Sequence, residues 1–330
     1  MKLLHRVIAT VGLAMGLAAS THVLAADPVT PSALVAPSKD LVLKGDAKCT
    51  HCHDESDSPK LLAIGKTRHG TVADAAAPTC TDCHGESNPH MANQAAGKDR
   101  ARPDRLFTKG AKTSVAERNG ACLSCHTKDA KRSHWEGSIH EVRDVACTSC
   151  HTVHAAKDKV RDKKTQPEVC FACHKEQRAQ VSRPSRHPIP EGKMGCSDCH
   201  NPHGSVGPKL MKKDTVVDTC YTCHAEKRGP FVHNHQPVNE DCSNCHNPHG
   251  TVAENLLKAR PPFLCQQCHT PHGPFIPQLR GAQVTAPTTN ALGRGTTNIT
   301  QGRACNNCHT QVHGSNNPST VNPTPQLMLR

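Results

Sequence analysis

Twenty cysteines and 25 histidines stand in this chain of 330 residues, and every cysteine occurs in one arrangement, C-x-x-C-H. The strings are CTHCH (Cys49, Cys52, His53), CTDCH (Cys80, Cys83, His84), CLSCH (Cys122, Cys125, His126), CTSCH (Cys147, Cys150, His151) and CFACH (Cys170, Cys173, His174). They continue as CSDCH (Cys196, Cys199, His200), CYTCH (Cys220, Cys223, His224), CSNCH (Cys242, Cys245, His246), CQQCH (Cys265, Cys268, His269) and CNNCH (Cys305, Cys308, His309). Two thiols three positions apart suit thioether bonds to the vinyl groups of a haem, and the adjoining imidazole gives the iron its proximal nitrogen. Zinc ribbons also use C-x-x-C, and secreted domains build disulfide frameworks. Neither needs a histidine directly after the second cysteine. Ten occurrences out of ten, where histidine fills 25 of 330 positions, predict ten covalently bound haem c groups.

Ten irons need ten sixth ligands. Two histidines on opposite faces of one iron hold their alpha carbons about 12 to 13 Å apart, whereas three residues span at most about 11 Å. His203 therefore cannot complete the haem of His200. The same limit excludes His249 for the haem of His246, His154 for that of His151 and His272 for that of His269; His313, four residues past His309, is excluded less strictly. If they are ligands, each serves a neighbouring haem. The motifs group into five pairs, beginning at Cys49, Cys122, Cys170, Cys220 and Cys265. In each pair one histidine lies between the motifs and another just after the second: His69 and His90, His140 and His154, His187 and His203, His235 and His249, His272 and His313. These ten are the candidate distal ligands. His51, His134 and His233 are spare, and His233 is an alternative to His235. Which iron each distal histidine serves stays open.

The remaining composition describes what must position these groups. Seven aromatic residues (five Phe, one Trp, one Tyr) and 35% apolar residues cannot build an ordinary core for this length. The haems themselves must be the interior. Pro (25) and Gly (22) punctuate the chain too densely for long regular elements. The expected fold is a multihaem cytochrome c, mostly irregular with short α-helices and almost no β-structure, an elongated haem chain built from five two-haem repeats.

Residues 1–26 read as a signal peptide, with a basic start, an apolar stretch and small residues before Asp27. Residues 27–48 read as a flexible N-terminal segment and 49–330 as the decahaem domain. No later segment is apolar enough to cross a bilayer as a helix. The formal charge of +12 becomes +10 without Lys2 and Arg6. Ten haems bring about 20 negative propionates and, when ferric, about one positive charge per iron, so the basic excess offsets the cofactor. A nucleic-acid role has no motif to support it.

Saturated irons argue against catalysis. Reductases of small nitrogen oxides need an open coordination position, and the motifs show none of the alterations that announce one. Only Met91, Met194, Met211 and Met328 follow the leader as rival ligands. Two nitrogen ligands give a lower potential than His/Met. The expected role is therefore electron transport.

The runs CSDCHNPHG, DTCYTCHAEKRGP, CHNPHGTV, LCQQCH and QVHGSNNPS, with the leader and the ten motifs, resemble the periplasmic decahaem cytochromes of the MtrA, MtoA and DmsE type. The likeness covers essentially the whole mature chain. It implies a bis-histidine wire held in an outer-membrane β-barrel porin of the MtrB or MtoB type, with an extracellular multihaem cytochrome at the outer end in some members. It also implies exchange with periplasmic or inner-membrane cytochromes, the haem of His53 toward the periplasm and that of His309 toward the exterior. The wire would join periplasmic carriers to extracellular iron, in Fe(II) oxidation or in Fe(III) and metal reduction. The DmsE type implies a different use, a free periplasmic carrier feeding a dimethyl sulfoxide reductase. A multihaem reductase with one open iron is a third reading.

Overall fold

The computed structural model describes residues 46–70, 76–92, 100–269, 305–306 and 309–316. The predicted leader, nearly all of the 27–48 segment, His272 and Cys308 lie outside the described residues. Helices are short, the longest running twelve residues over Val115–His126. Among the described residues there is no strand, only isolated bridges such as Ser185 with Thr251 and His200 with Met211.

Each of the nine fully described motifs winds through a helical turn. In seven of these, and likewise from His309 to Cys305, the histidine N–H donates to the carbonyl of the first cysteine at 2.8 to 3.0 Å. The other two lie inside the helices Cys80–His84 and Val115–His126. One turn of helix sets positions i and i+4 on one face, so the first thiol and the imidazole project to the same side. Capping chemistry sets where these turns begin. Thr79 and Asp82, and likewise Ser114 and Glu117, form reciprocal capping boxes; Thr215 accepts the Asp218 N–H at 2.9 Å. These caps satisfy amides that a helix start otherwise leaves orphaned.

Within a pair, buried polar side chains hold the second motif against the first. Asp46, 1% exposed, accepts the Cys80 N–H through Oδ2 at 2.6 Å. Asn119 accepts the Cys147 N–H at 2.9 Å and donates to the Val145 carbonyl. Gln166 accepts the Ser197 N–H at 2.9 Å and donates to the Val160 carbonyl. Asp46 and Asn119 each stand three residues before the first cysteine of their pair, so one clamp recurs with different chemistry. Leaving such a buried amide unpaired costs about 1–3 kcal/mol.

Between pairs the docking element is the turn after the second motif. Gly204 (φ 111°) presses on the carbonyl of His134, and Gly250 (φ 143°) on that of Gln180. A Cβ at either position would collide with that backbone oxygen, and the positive φ disfavours any side chain. A backbone bridge extends the second dock, where Thr251 pairs with Ser185, and the last pair docks through a bridge of its own, Ser315 with His233.

Buried apolar side chains are few: Ala146, Phe171, Val181, Met211, Val217 and Ala253, with the prolines Pro167 and Pro262, among the described residues. What the fold encloses instead is one continuous cavity of about 4810 Å³, lined by residues of all ten motifs from Lys48 to His313. This agrees with the expectation from composition that prosthetic groups form the interior.

Candidate haem centres

Nine pairs of imidazole rings face each other across this cavity, each joining a motif histidine to a candidate distal histidine. Their centroids lie 6.1 Å apart for His53 and His90, 6.2 Å for His84 and His154, and 5.9 Å for His126 and His69. They lie 6.0 Å apart for His151 and His203, 6.2 Å for His174 and His140, and 6.1 Å for His200 and His249. The last three are His224 with His187 at 6.3 Å, His246 with His313 at 6.0 Å and His269 with His235 at 6.0 Å. A metal–nitrogen bond of about 2 Å on each side, plus about 1 Å from nitrogen to ring centre, spans about 6 Å. The gap between the rings is therefore that of one bis-imidazole metal ion, too wide for direct ring stacking.

Hydrogen bonds at the other ring nitrogen support this fit. Nδ1 donates to a backbone carbonyl from His84 (Arg105, 2.9 Å), His90 (Ala101, 2.7 Å), His154 (Leu61, 2.7 Å) and His140 (Pro202, 2.8 Å). The same holds for His187 (Pro248, 2.7 Å), His200 (Lys209, 2.9 Å), His235 (Val312, 2.9 Å) and His246 (Asn255, 2.8 Å). A carbonyl only accepts, so the proton stays on Nδ1 and the Nε2 lone pair is free to bind metal. Burial pushes the pKa of His200, His203, His246, His249 and His84 below its ordinary value, which also favours the neutral ligand form.

Three rings have other partners. His53 Nδ1 lies 3.2 Å from the Ser58 hydroxyl, and His126 Nδ1 lies 3.0 Å from the Arg132 guanidinium. His151 donates to the Asp158 carboxylate at 2.7 Å.

The rings pair in a crossed order. The histidine between the motifs of one pair faces the first motif of the next: His69 to His126, His140 to His174, His187 to His224, His235 to His269. The histidine after the second motif faces backward to the second motif of the preceding pair: His154 to His84, His203 to His151, His249 to His200, His313 to His246. His90 has no preceding pair and turns to His53 of its own. Among the described residues, no second histidine of a C-H-x-x-H run faces its own motif. The forward and backward arms are also tied together. His140, His187 and His235 donate to the carbonyls of Pro202, Pro248 and Val312, the residues just before His203, His249 and His313.

The thiols alternate in the same way. First cysteines meet within a pair, Cys49 with Cys80, Cys122 with Cys147, Cys170 with Cys196, Cys220 with Cys242, and Cys265 with Cys305. Second cysteines neighbour across pairs, Cys150 with Cys173, Cys199 with Cys223 and Cys245 with Cys268.

The spare histidines lie outside these facing pairs among the described residues. His51 and His134 are exposed, and His233 is engaged through its backbone with Ser315. His235, not His233, faces His269. Sequence reasoning missed Asp158 as a partner of His151, and missed the clamps Asp46, Asn119 and Gln166. The recurrence of a polar residue three positions ahead of Cys49 and Cys122 was the available signal for two of the clamps.

Comparison with known proteins agrees with this arrangement. Residues 80–167 match the family model of the NrfB-like cytochrome c-type protein, and residues 187–229 and 235–274 match that of the doubled CXXCH motif. The chain is 44% identical over 283 residues to the multihaem cytochrome MtrA of Shewanella baltica (strain OS185), covering 84% of this chain and 80% of that one. It carries covalently bound haem c and transfers electrons, and it belongs to the MtrA family of multihaem cytochromes.

Proposed function

We propose that this chain holds ten bis-histidine haems and conducts electrons across the outer membrane inside a β-barrel porin partner, between periplasmic carriers and extracellular iron. The observation that carries this reading is the crossed order of nine facing histidine pairs along one continuous cavity. Haem supplies one-electron redox chemistry; the chain fixes where each iron stands relative to the next. Because the forward and backward histidines of adjoining pairs hold different irons through one short turn, consecutive centres cannot drift apart. His272 is the proposed tenth distal ligand, serving the iron of His309, as His90 serves that of His53 at the other end.

Two histidines per iron leave no coordination position for a substrate, which supports transport over catalysis. No helix among the described residues is long and apolar enough to cross a membrane. In this reading the lipid-facing surface comes from the barrel, whose lumen suits a chain with so little apolar surface to offer. An extracellular multihaem cytochrome would meet the end bearing His309, and periplasmic or inner-membrane cytochromes the end bearing His53. These partners rest on the family resemblance.

Co-purification from outer membranes and reconstitution into liposomes loaded with a redox dye test the reading. Dye reduction or oxidation that requires both cytochrome and barrel supports it. A cytochrome that stays wholly soluble, with no barrel-dependent transfer, contradicts it and favours a free periplasmic carrier. Fe(II) or a ferric mineral supplied outside then reports the direction.

A further inference from the structure

The motif histidines of second position, His84, His151, His200 and His246, occupy equivalent places in successive pairs, and three of them are supported alike. His84, His200 and His246 donate from Nδ1 to the backbone carbonyls of Arg105, Lys209 and Asn255. Two of these carbonyls are presented by turns whose central residues are left-handed without being glycine: Lys209 and Leu210 at φ 54° and 58°, Asn255 and Leu256 at φ 56° and 59°. A side chain disfavours that conformation, and the turns are closed by the Asn201 and Asn247 N–H groups, which donate to the carbonyls of Leu210 and Leu256 at 2.7 and 2.8 Å.

The second pair is built differently. CHTVHAAKD replaces the CHNPHG run, and the 3-10 turn Lys159–Arg161 begins directly after Asp158. Asp158 does not cap that turn with its side chain. Its Oδ2 accepts the His151 Nδ1–H at 2.7 Å and its Oδ1 accepts the Thr152 N–H at 3.2 Å. The carboxylate is 16% exposed. A full negative charge therefore replaces a neutral carbonyl at one of four equivalent centres.

An anionic acceptor draws the Nδ1 proton toward itself and makes the imidazole a stronger donor to the metal. A more basic ligand and a nearby negative charge both favour the ferric over the ferrous state. We infer that Asp158 is a positioning residue that lowers the reduction potential of the haem bound by His151 and His203 below those of the equivalent haems of His84, His200 and His246. The wire then has a built-in step near its first third. This inference rests on the proposal that His151 and His203 share one iron.

Asp158→Asn is the decisive variant, because the amide oxygen still accepts from Nδ1–H while the charge is gone. The haem-loaded full chain would be titrated potentiometrically, with ferric low-spin signals followed by electron paramagnetic resonance. To mark the one centre, the same substitution is compared in a His203→Met background, where methionine ligation gives its own near-infrared charge-transfer band. The expected result is at least a tenfold shift of that centre's one-electron equilibrium toward the reduced state, about 59 mV upward, with haem content unchanged. Asp158→Glu should restore the low value. A methionine band whose potential does not move on Asp158→Asn would overturn the role of Asp158 alone. Absence of a methionine band in His203→Met, with all ten centres still bis-histidine, would overturn the shared-iron assignment and the inference with it.

Discussion

A backbone carbonyl that can only accept determines which nitrogen of a histidine remains available, and eight of the ring histidines here are fixed in that way. The planes of facing rings then range from near-parallel to near-perpendicular, with three pairs between, at 32°, 47° and 49°. They are near-parallel for His53 with His90 (8°), His151 with His203 (12°), His246 with His313 (16°) and His200 with His249 (17°). They are close to perpendicular for His126 with His69 (78°) and His174 with His140 (82°). Relative ring orientation sets the splitting of the iron d orbitals. The ferric protein should therefore show both rhombic low-spin signals and signals with a large maximal g value, and a single uniform class would contradict the geometry. His203, packed edge-on to the single tryptophan, Trp135, at 6.3 Å, offers a second check. Replacing it by methionine should raise the potential of one haem, and that haem should be the one held by His151. A change at the haem of His200 would refute the crossed order.

The turn after each second motif is the element that converts binding sites into a connected series. A side chain at Gly204 or Gly250 meets backbone oxygen, which cannot move aside as a flexible side chain would. Gly204→Val is expected to destabilise the protein by about 2–4 kcal/mol, read as a lower midpoint of thermal unfolding, and to loosen the bis-histidine spectrum of the centres at His151 and His174. The same substitution at Gly137, where a Cβ meets nothing within 4 Å, carries only the cost of its positive φ and should cost less. At this scale the sequence was informative in an uneven way. Cysteines and their adjoining histidines are contiguous, so the motif residues could be read directly. The short reach of three residues was enough to exclude His203, His249 and His154 from their own motifs. It could not say which iron each would approach, because that depends on how one pair folds back on another. Nor could it separate His235 from His233, two residues apart; the fold does so by engaging the backbone of His233 with Ser315. Asp158 was illegible for a related reason: its loop departs from the repeated pattern, and nothing in a lone aspartate seven residues past a motif histidine announces a hydrogen bond.

At the scale of the whole molecule the account rests on the interior being cofactor. With so few buried apolar side chains among the described residues and a cavity of about 4810 Å³, the chain without haem should fail to fold, and expression without the haem-attachment machinery should yield unfolded or degraded protein. Saturated coordination predicts that carbon monoxide leaves the spectrum of the reduced protein unchanged.

The central claim is that the second histidine of each C-H-x-x-H run completes an iron other than that of its own motif, so that ten sites form one conductor. The most direct test is an experimental structure of the haem-loaded protein with the iron positions located. The account predicts ten irons, nine of them midway between the facing ring pairs, with His203 bound to the iron of His151 and His249 to that of His200, and the tenth between His309 and His272. An iron with an open sixth position, or His200 and His203 on a single iron, would contradict it.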